Sequence, residues 1–188
     1  LALLGFLVIF GNAQLIPYAV IVASLIGILI PYMRFNVWGK AEQNRKIFMG
    51  DSGSLTLGFI LGFLFVKSAM HNPPLMSASP VRFVLAYSLL IVPVFDVVRV
   101  ILHRLRIRQP LFNADKNHIH HKLMRLGMTQ HQALLFILGL AVAYVAINLL
   151  LFPAVSITGI VLIDVATFTF IQLLLTRKVE RKKLKIAT

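Results

Sequence analysis

Cysteine is absent from all 188 residues, which excludes disulfides and thiolate metal sites. Acidic residues are nearly as scarce: six Asp and Glu stand against nineteen Lys and Arg, giving a formal charge of +13. Charged residues of both signs make up only 13% of the chain, where a soluble domain carries about 25%. With 59% hydrophobic residues and a mean hydropathy of +0.86, the apolar surplus is too large for a soluble core. It reads as surface that faces lipid. The charged start and small-residue cleavage site of a signal peptide are also missing. The chain begins at Leu1 already inside an apolar run, so the expectation is a piece cut within a larger membrane protein.

What is present is a series of apolar runs. A bilayer core about 30 Å thick needs roughly 20 apolar residues per helix. Residues 1–10 look like the end of one span, and complete spans are expected over 15–33, 52–70, 83–102, 132–151 and 154–175. The expected fold is therefore an all-α, polytopic membrane bundle, read as a single transmembrane domain over 1–188 with one partial and five complete spans. Between the spans lie polar loops at about 34–51 and 103–131, a short loop at 71–80 with three prolines, and a basic tail over 176–188. Ser54, Gly58 and Gly62 recur every fourth residue in one span, a ridge that would let another helix approach closely.

Charge alternates from loop to loop. The two long loops and the tail hold sixteen of the nineteen basic residues, and alternation of spans puts all three on one side. By the positive-inside rule that side is cytoplasmic. An excess of this size suits anionic lipid headgroups or an anionic substrate, and nothing in its distribution asks for nucleic acid.

Two polar segments carry candidate chemistry. The first loop ends Phe48-Met49-Gly50-Asp51-Ser52-Gly53-Ser54, at the start of a span. An Asp there is either a helix N-cap or a functional carboxylate, and its flanking glycines let a ligand come near the backbone. A hard cation such as Mg²⁺ uses one or two carboxylates plus substrate phosphates, which one such Asp fits. The second segment, Asn113-Ala114-Asp115-Lys116-Asn117-His118-Ile119-His120-His121-Lys122, gathers three of six histidines within four residues. On a helix at about 100° per residue, His118 and His121 share a face and His120 points away. With no cysteine or nearby carboxylate pair, a tetrahedral zinc site is disfavoured. A donor-rich surface for phosphates, with Arg106, Arg108, Lys116 and Lys122 close by, is the better reading. Asp96 lies inside a span, at a cost of about 2.5–3.5 kcal/mol, either paired with Arg99 or lining a cavity. Asp164, also inside a span, reads as structural, bonded to a neighbouring helix through Asn148.

Taken together, Phe-Met-Gly-Asp-Ser-Gly-Ser, the intramembrane Asp96, and Asp115-Lys116-Asn117-His118-Ile119-His120-His121 resemble the polyprenyl-phosphate N-acetylhexosamine-1-phosphate transferases. The likeness covers essentially the whole chain, as that family's C-terminal half. The His-x-His-His form is closer to the branch that primes O-antigen, enterobacterial antigen or teichoic-acid linkage. The muramyl-pentapeptide branch carries a different run ending in Phe-Glu.

The resemblance implies a reaction in which polyprenyl phosphate attacks the sugar-linked phosphate of a UDP-N-acetylhexosamine, giving polyprenyl-diphosphate-sugar and UMP, with Mg²⁺. It implies Asp51 as a Mg²⁺ ligand, Phe48 stacking on uracil, and His118, His120 and His121 lining the catalytic site. Arg106, Arg108, Asp115 and Lys116 would join Phe48 in binding substrate. It also implies a bacterial inner membrane, with membrane lipids as surroundings, the site facing the cytoplasm, and room for a homodimer. The family's adjacent Asp-Asp pair and Asn-x-x-Asp-Gly segment are not found: the acids are Glu42, Asp51, Asp96, Asp115, Asp164 and Glu180, and no two are neighbours. A piece lacking those motifs is expected to be inactive alone.

Two other classes compete. A transporter would use Asp96, Asp164 and the histidines as an ion path and predicts an inverted repeat, which is not seen. A lipid-binding anchor accounts for the basic tail but leaves Asp51 and the histidine cluster without a role.

Overall fold

The computed structural model describes residues 1–39, 46–70, 79–110 and 118–187, all helix or helix-joining turn. The helices are α1 (Ala2–Asn12), α2 (Ile16–Trp38), α3 (Gly50–Ala69), α4 (Pro80–Arg106), α5 (Ile119–Arg125), α6 (Gln130–Leu151) and α7 (Ile157–Ala187). Five of them, α2, α3, α4, α6 and α7, are long and apolar enough to cross a membrane. Whereas 44% of the apolar window of α4 is buried, little of that of α2 and α3 is covered by protein, 6% and 11%. Such surfaces are stable only against lipid. The chain is a multi-pass, all-α membrane protein, with five long helices where five complete spans are expected.

The chain forms two compact units, Leu1–Leu89 and Leu90–Thr188. In the first, the α1–α2 turn falls at Ala13-Gln14, with Gln14 in the left-handed region at φ 55°. Leu15 N–H closes it on Phe10 O at 2.9 Å, and Pro17 in the first turn of α2 needs no amide partner. Phe6 and Phe10 are fully buried, and an aromatic run Phe10–Tyr18–Phe63 ties α1, α2 and α3 together. Lys67 sits 5.3 Å over the Tyr18 ring, a partner that eases its place in an apolar helix.

In the second unit, α5 packs against α6 and α7 through Ile119, Leu123, Ala133 and Leu175. This short helix is closed at its C-terminal end by Gly127 at φ +101°. Met128 N–H reaches Leu123 O and Gly127 N–H reaches Met124 O, the double bond of a Schellman motif. Thr129 and Gln132 then form a reciprocal capping box that starts α6. Within the bilayer-crossing part, Asn148 Nδ2 donates to Asp164 Oδ2 at 2.9 Å, both residues being fully buried. That is the interhelical bond expected of Asp164.

Two expectations change. The basic tail is not a separate segment but the last turns of α7, a 31-residue helix. Lys, Arg, Glu and Leu are good helix formers, and extending an existing helix avoids the nucleation cost. The Ser54/Gly58/Gly62 ridge is open, with nothing described within 4 Å of where a Cβ on Gly58 or Gly62 would lie. Helix α3 instead buries Leu64 and Ser68, further along.

Candidate functional site

In the first unit the candidate residues stand at the start of α3. Asn36, near the end of α2, donates through Nδ2 to Ile47 O at 2.8 Å and so holds the strand of chain that leads into α3. Phe48 follows, 76% exposed, its ring 5.8 Å from Lys46 Nζ. Gly50 begins the helix at φ +66°, a conformation that glycine adopts without strain. Met49 is the residue before the helix, and no side chain caps the first turn. Asp51 lies inside that turn and is exposed. Its carboxylate takes up no hydrogen bond or ion pair among the described residues; only its backbone oxygen is engaged, by Ser54 Oγ at 2.9 Å. Of the two roles open to Asp51, the N-cap is thus not the one adopted. The carboxylate is available to a ligand, in a first turn whose amides are also free.

In the second unit the histidine segment is organised by Asp96. This residue is buried, yet its carboxylate is almost saturated. Oδ1 accepts from Arg99 Nη2 at 3.1 Å, and Oδ2 lies 2.9 Å from His118 Nδ1. Ile119 N–H reaches both oxygens, at 3.3 and 3.2 Å. Asp96 of α4 therefore caps α5 from another helix, where the cap residue His118 makes no capping bond of its own. The pairing of Asp96 with Arg99 matches the i, i+3 spacing; the link to His118 and α5 has no counterpart in the sequence reading.

The three rings stand in a row. His118 and His120 stack at 6.0 Å and 12°, and His120 and His121 lie 4.0 Å apart. The expected split, with His120 turned away, fails because His118 precedes the helix, at ψ 154°, and so escapes the helical period. Among the described residues no three His, Asp or Glu side chains gather as a metal site. His120 is held below the usual imidazole range, first by desolvation of its part-covered ring, then by repulsion from His121 and His118, against a smaller upward pull from Asp96.

Lys122, one turn on from His118, points elsewhere. It is 8% exposed, and its Nζ donates to Gln172 Oε1 at 2.9 Å and Thr176 Oγ1 at 2.8 Å on α7. Burial, and then the nearby Arg99 charge, lower its pKa to about 8. Gln172 and Thr176 carry a legible signal, two polar residues one turn apart where a span ends, but no single-segment pattern couples them to Lys122. Arg106 and Arg108 are exposed at the end of α4, where cations suit the helix dipole. The turn beneath them is pinned by buried Arg104, which donates to Pro110 O at 3.0 Å. Asp115 and Lys116 lie outside the described residues.

For Mg²⁺, the test is whether the donors present suit a hard cation that keeps waters and binds substrate phosphates. Asp51 meets it as a single exposed carboxylate with free oxygens.

Residues 1–69 match glycosyl transferase family 4. Three curated relatives share the name undecaprenyl-phosphate alpha-N-acetylglucosaminyl 1-phosphate transferase. The protein of Yersinia pestis is 34% identical over 114 residues, 61% of this chain and 30% of the relative. That of Pasteurella multocida is 32% identical over 127 residues, 68% of this chain and 34% of the relative. That of Escherichia coli is 31% identical over 127 residues, 68% and 33%. The matched part thus spans about a third of the length of these relatives. No solved structure matches the chain.

Proposed function

We propose that this chain, whose residues 1–69 match glycosyl transferase family 4, contributes to an enzyme that transfers N-acetylhexosamine-1-phosphate from a UDP-sugar to polyprenyl phosphate. In this reading a phosphate oxygen of the lipid attacks the sugar-linked phosphorus. A new P–O bond forms, the bond to the bridging oxygen breaks, and UMP leaves with the electron pair. Phosphoryl transfer of this kind needs mainly positioning and charge neutralisation, which is what the chain's residues offer.

The observation that carries the reading is Asp51, an exposed carboxylate that no described residue engages, in an uncapped first turn. Asp51 would hold Mg²⁺, which would supply charge neutralisation to the diphosphate. The free amides of the same turn suit phosphate oxygens. Phe48, exposed beside it, offers a face for uracil. Arg106 and Arg108 offer permanent charge, and His120, its pKa lowered, offers an imidazole N–H with little added charge. Asp115 and Lys116 are assigned to substrate binding as well. The names of the relatives support undecaprenyl phosphate as acceptor and N-acetylglucosamine as the sugar. The one-sided distribution of Lys and Arg supports a site facing the cytoplasm of a bacterial inner membrane.

The test is Asp51→Asn in the full-length protein, followed by UMP release across a Mg²⁺ titration. Asn caps a helix about as well as Asp but is a poor ligand for a hard cation. Near-complete loss of turnover is expected at normal membrane expression, with partial rescue only at much higher Mg²⁺. Unchanged turnover at ordinary Mg²⁺ would remove Asp51 from the metal site.

A further inference from the structure

The second unit contains a hollow that none of the described residues assigned to the proposed reaction lines. Its volume is about 290 Å³, and Arg99 and His103 of α4, Lys122 and Arg125 of α5, and Thr176 and Glu180 of α7 line it. Each helix contributes residues three or four apart, the spacing that puts side chains on one face. None of His118, His120 and His121 lines it.

The charge of this lining is out of balance. Three cations meet one carboxylate, Glu180. Asp96, the other acid nearby among the described residues, is already shared between Arg99, His118 and the Ile119 amide. A buried lysine in a self-sufficient structural cluster would face a carboxylate. Lys122 instead faces two neutral acceptors, Gln172 and Thr176. Those two bonds use two of the three ammonium protons, so one donor is left. Gln172, 3% exposed, has its own Nε2 buried without a partner among the described residues. Excess positive charge and a spare ammonium donor beside an open space are what an oxyanion completes.

We propose that this hollow binds a phosphomonoester group, at a site distinct from the histidine segment. A phosphate dianion balances the surplus charge, and its three terminal oxygens accept from several directions at once. The Arg125 guanidinium fork and the Lys122 ammonium, with Arg99 adding charge, match that demand better than they match a single carboxylate. The hollow lies where α4 and α7 pass from apolar to basic sequence, with His103, Arg104 and Arg106 closing one helix and Arg177 and Lys178 following Thr176 on the other. At such a boundary the phosphate can come from a lipid headgroup or from solution.

The experiment measures binding and not turnover, so its outcome is independent of the transfer reaction. The full-length protein is placed in phosphatidylcholine nanodiscs and titrated with inorganic phosphate. In parallel, retention of phosphatidic acid over phosphatidylserine, a phosphodiester, is read by native mass spectrometry. Arg125→Gln is expected to weaken phosphate or phosphatidic acid binding about tenfold, as loss of a charge-assisted hydrogen bond should. Glu180→Gln, which removes the opposing charge, is expected to tighten it several-fold. Both residues are exposed, and unaltered circular dichroism shows that the fold persists. Selective retention of phosphatidic acid assigns the site to a lipid phosphate, and saturable inorganic phosphate without lipid selectivity assigns it to soluble phosphate. Absence of both, or binding that neither variant moves, overturns the proposal.

Discussion

His118 Nδ1 lies 2.9 Å from Asp96 Oδ2, although the two are 22 residues apart and sit on different segments. Facing a carboxylate, Nδ1 is the nitrogen that donates, and Nε2 makes no bond to Asp96. The same carboxylate receives the first amide of α5, so one acid sets both the tautomer of His118 and the start of the helix that carries His120 and His121.

Asp96→Ala should therefore act on the histidines before it acts on the fold. In ¹⁵N spectra of histidine-labelled protein, His118 is expected as the Nδ1–H tautomer in the wild type and as a mixture in the variant. Turnover of the full-length protein in the proposed transfer should drop roughly 10–100-fold, the usual cost of losing a group that orients a functional histidine. An unchanged tautomer, or an unchanged rate, would reduce Asp96 to a partner of Arg99.

The Asn148–Asp164 bond gives a prediction that separates enzyme from transporter. Asn148→Leu should destabilise the protein by about 0.6 kcal/mol, the mean for interhelical hydrogen bonds in membranes, and by no more than about 1.7. Asn148→Leu with Asp164→Leu should recover much of that, because the two ends of this hydrogen bond are then removed together. UMP release should survive in the double variant when assayed below its unfolding midpoint. An ion path through Asp164 would instead make the double variant stable but dead.

Lys122 makes the second unit sensitive to alkaline pH. Its pKa is about 8 in the fold and 10.5 ordinarily, so between those values the unfolded chain binds more protons than the folded one. Stability should then rise with pH from about 8 towards 10.5, relative to Lys122→Met, as read by thermal unfolding of the two proteins. The other charged or titratable groups near Lys122 are Asp96, Arg99, His103, Arg125 and Glu180. Phosphate affinity should move the opposite way, falling once the pH passes about 8 and the ammonium charge is lost. A flat profile for both quantities would mean that Lys122 keeps its proton throughout.

Topology is checked by fusion reporters. Fusions near Glu42, Lys116 and Lys182 are expected to report cytoplasm, and one near Ser77 the opposite side. A cytoplasmic reporter at Ser77 would place the Asp51 and histidine segments on opposite faces and exclude a common substrate.

Much of the architecture was legible because the membrane imposes it segment by segment. Each span must satisfy its own backbone and present apolar side chains to lipid, so length and hydropathy alone define α2, α3, α4, α6 and α7. The Asp164–Asn148 pair was legible for the same reason, since an acid inside the bilayer must find a polar partner on a neighbouring helix. Asp51, Phe48 and the histidines could be picked out by residue type and by their place at the ends of spans. What they do locally depended on the tertiary structure. That Asp51 does not cap α3, that Asp96 does cap α5, and that Lys122 turns to Gln172 and Thr176 are contacts between side chains and backbone groups whose positions no single segment sets. Hydropathy is a property of each residue, read by the lipid one helix at a time. A hydrogen bond is directional and short, and it exists only once packing has brought both ends within about 3 Å.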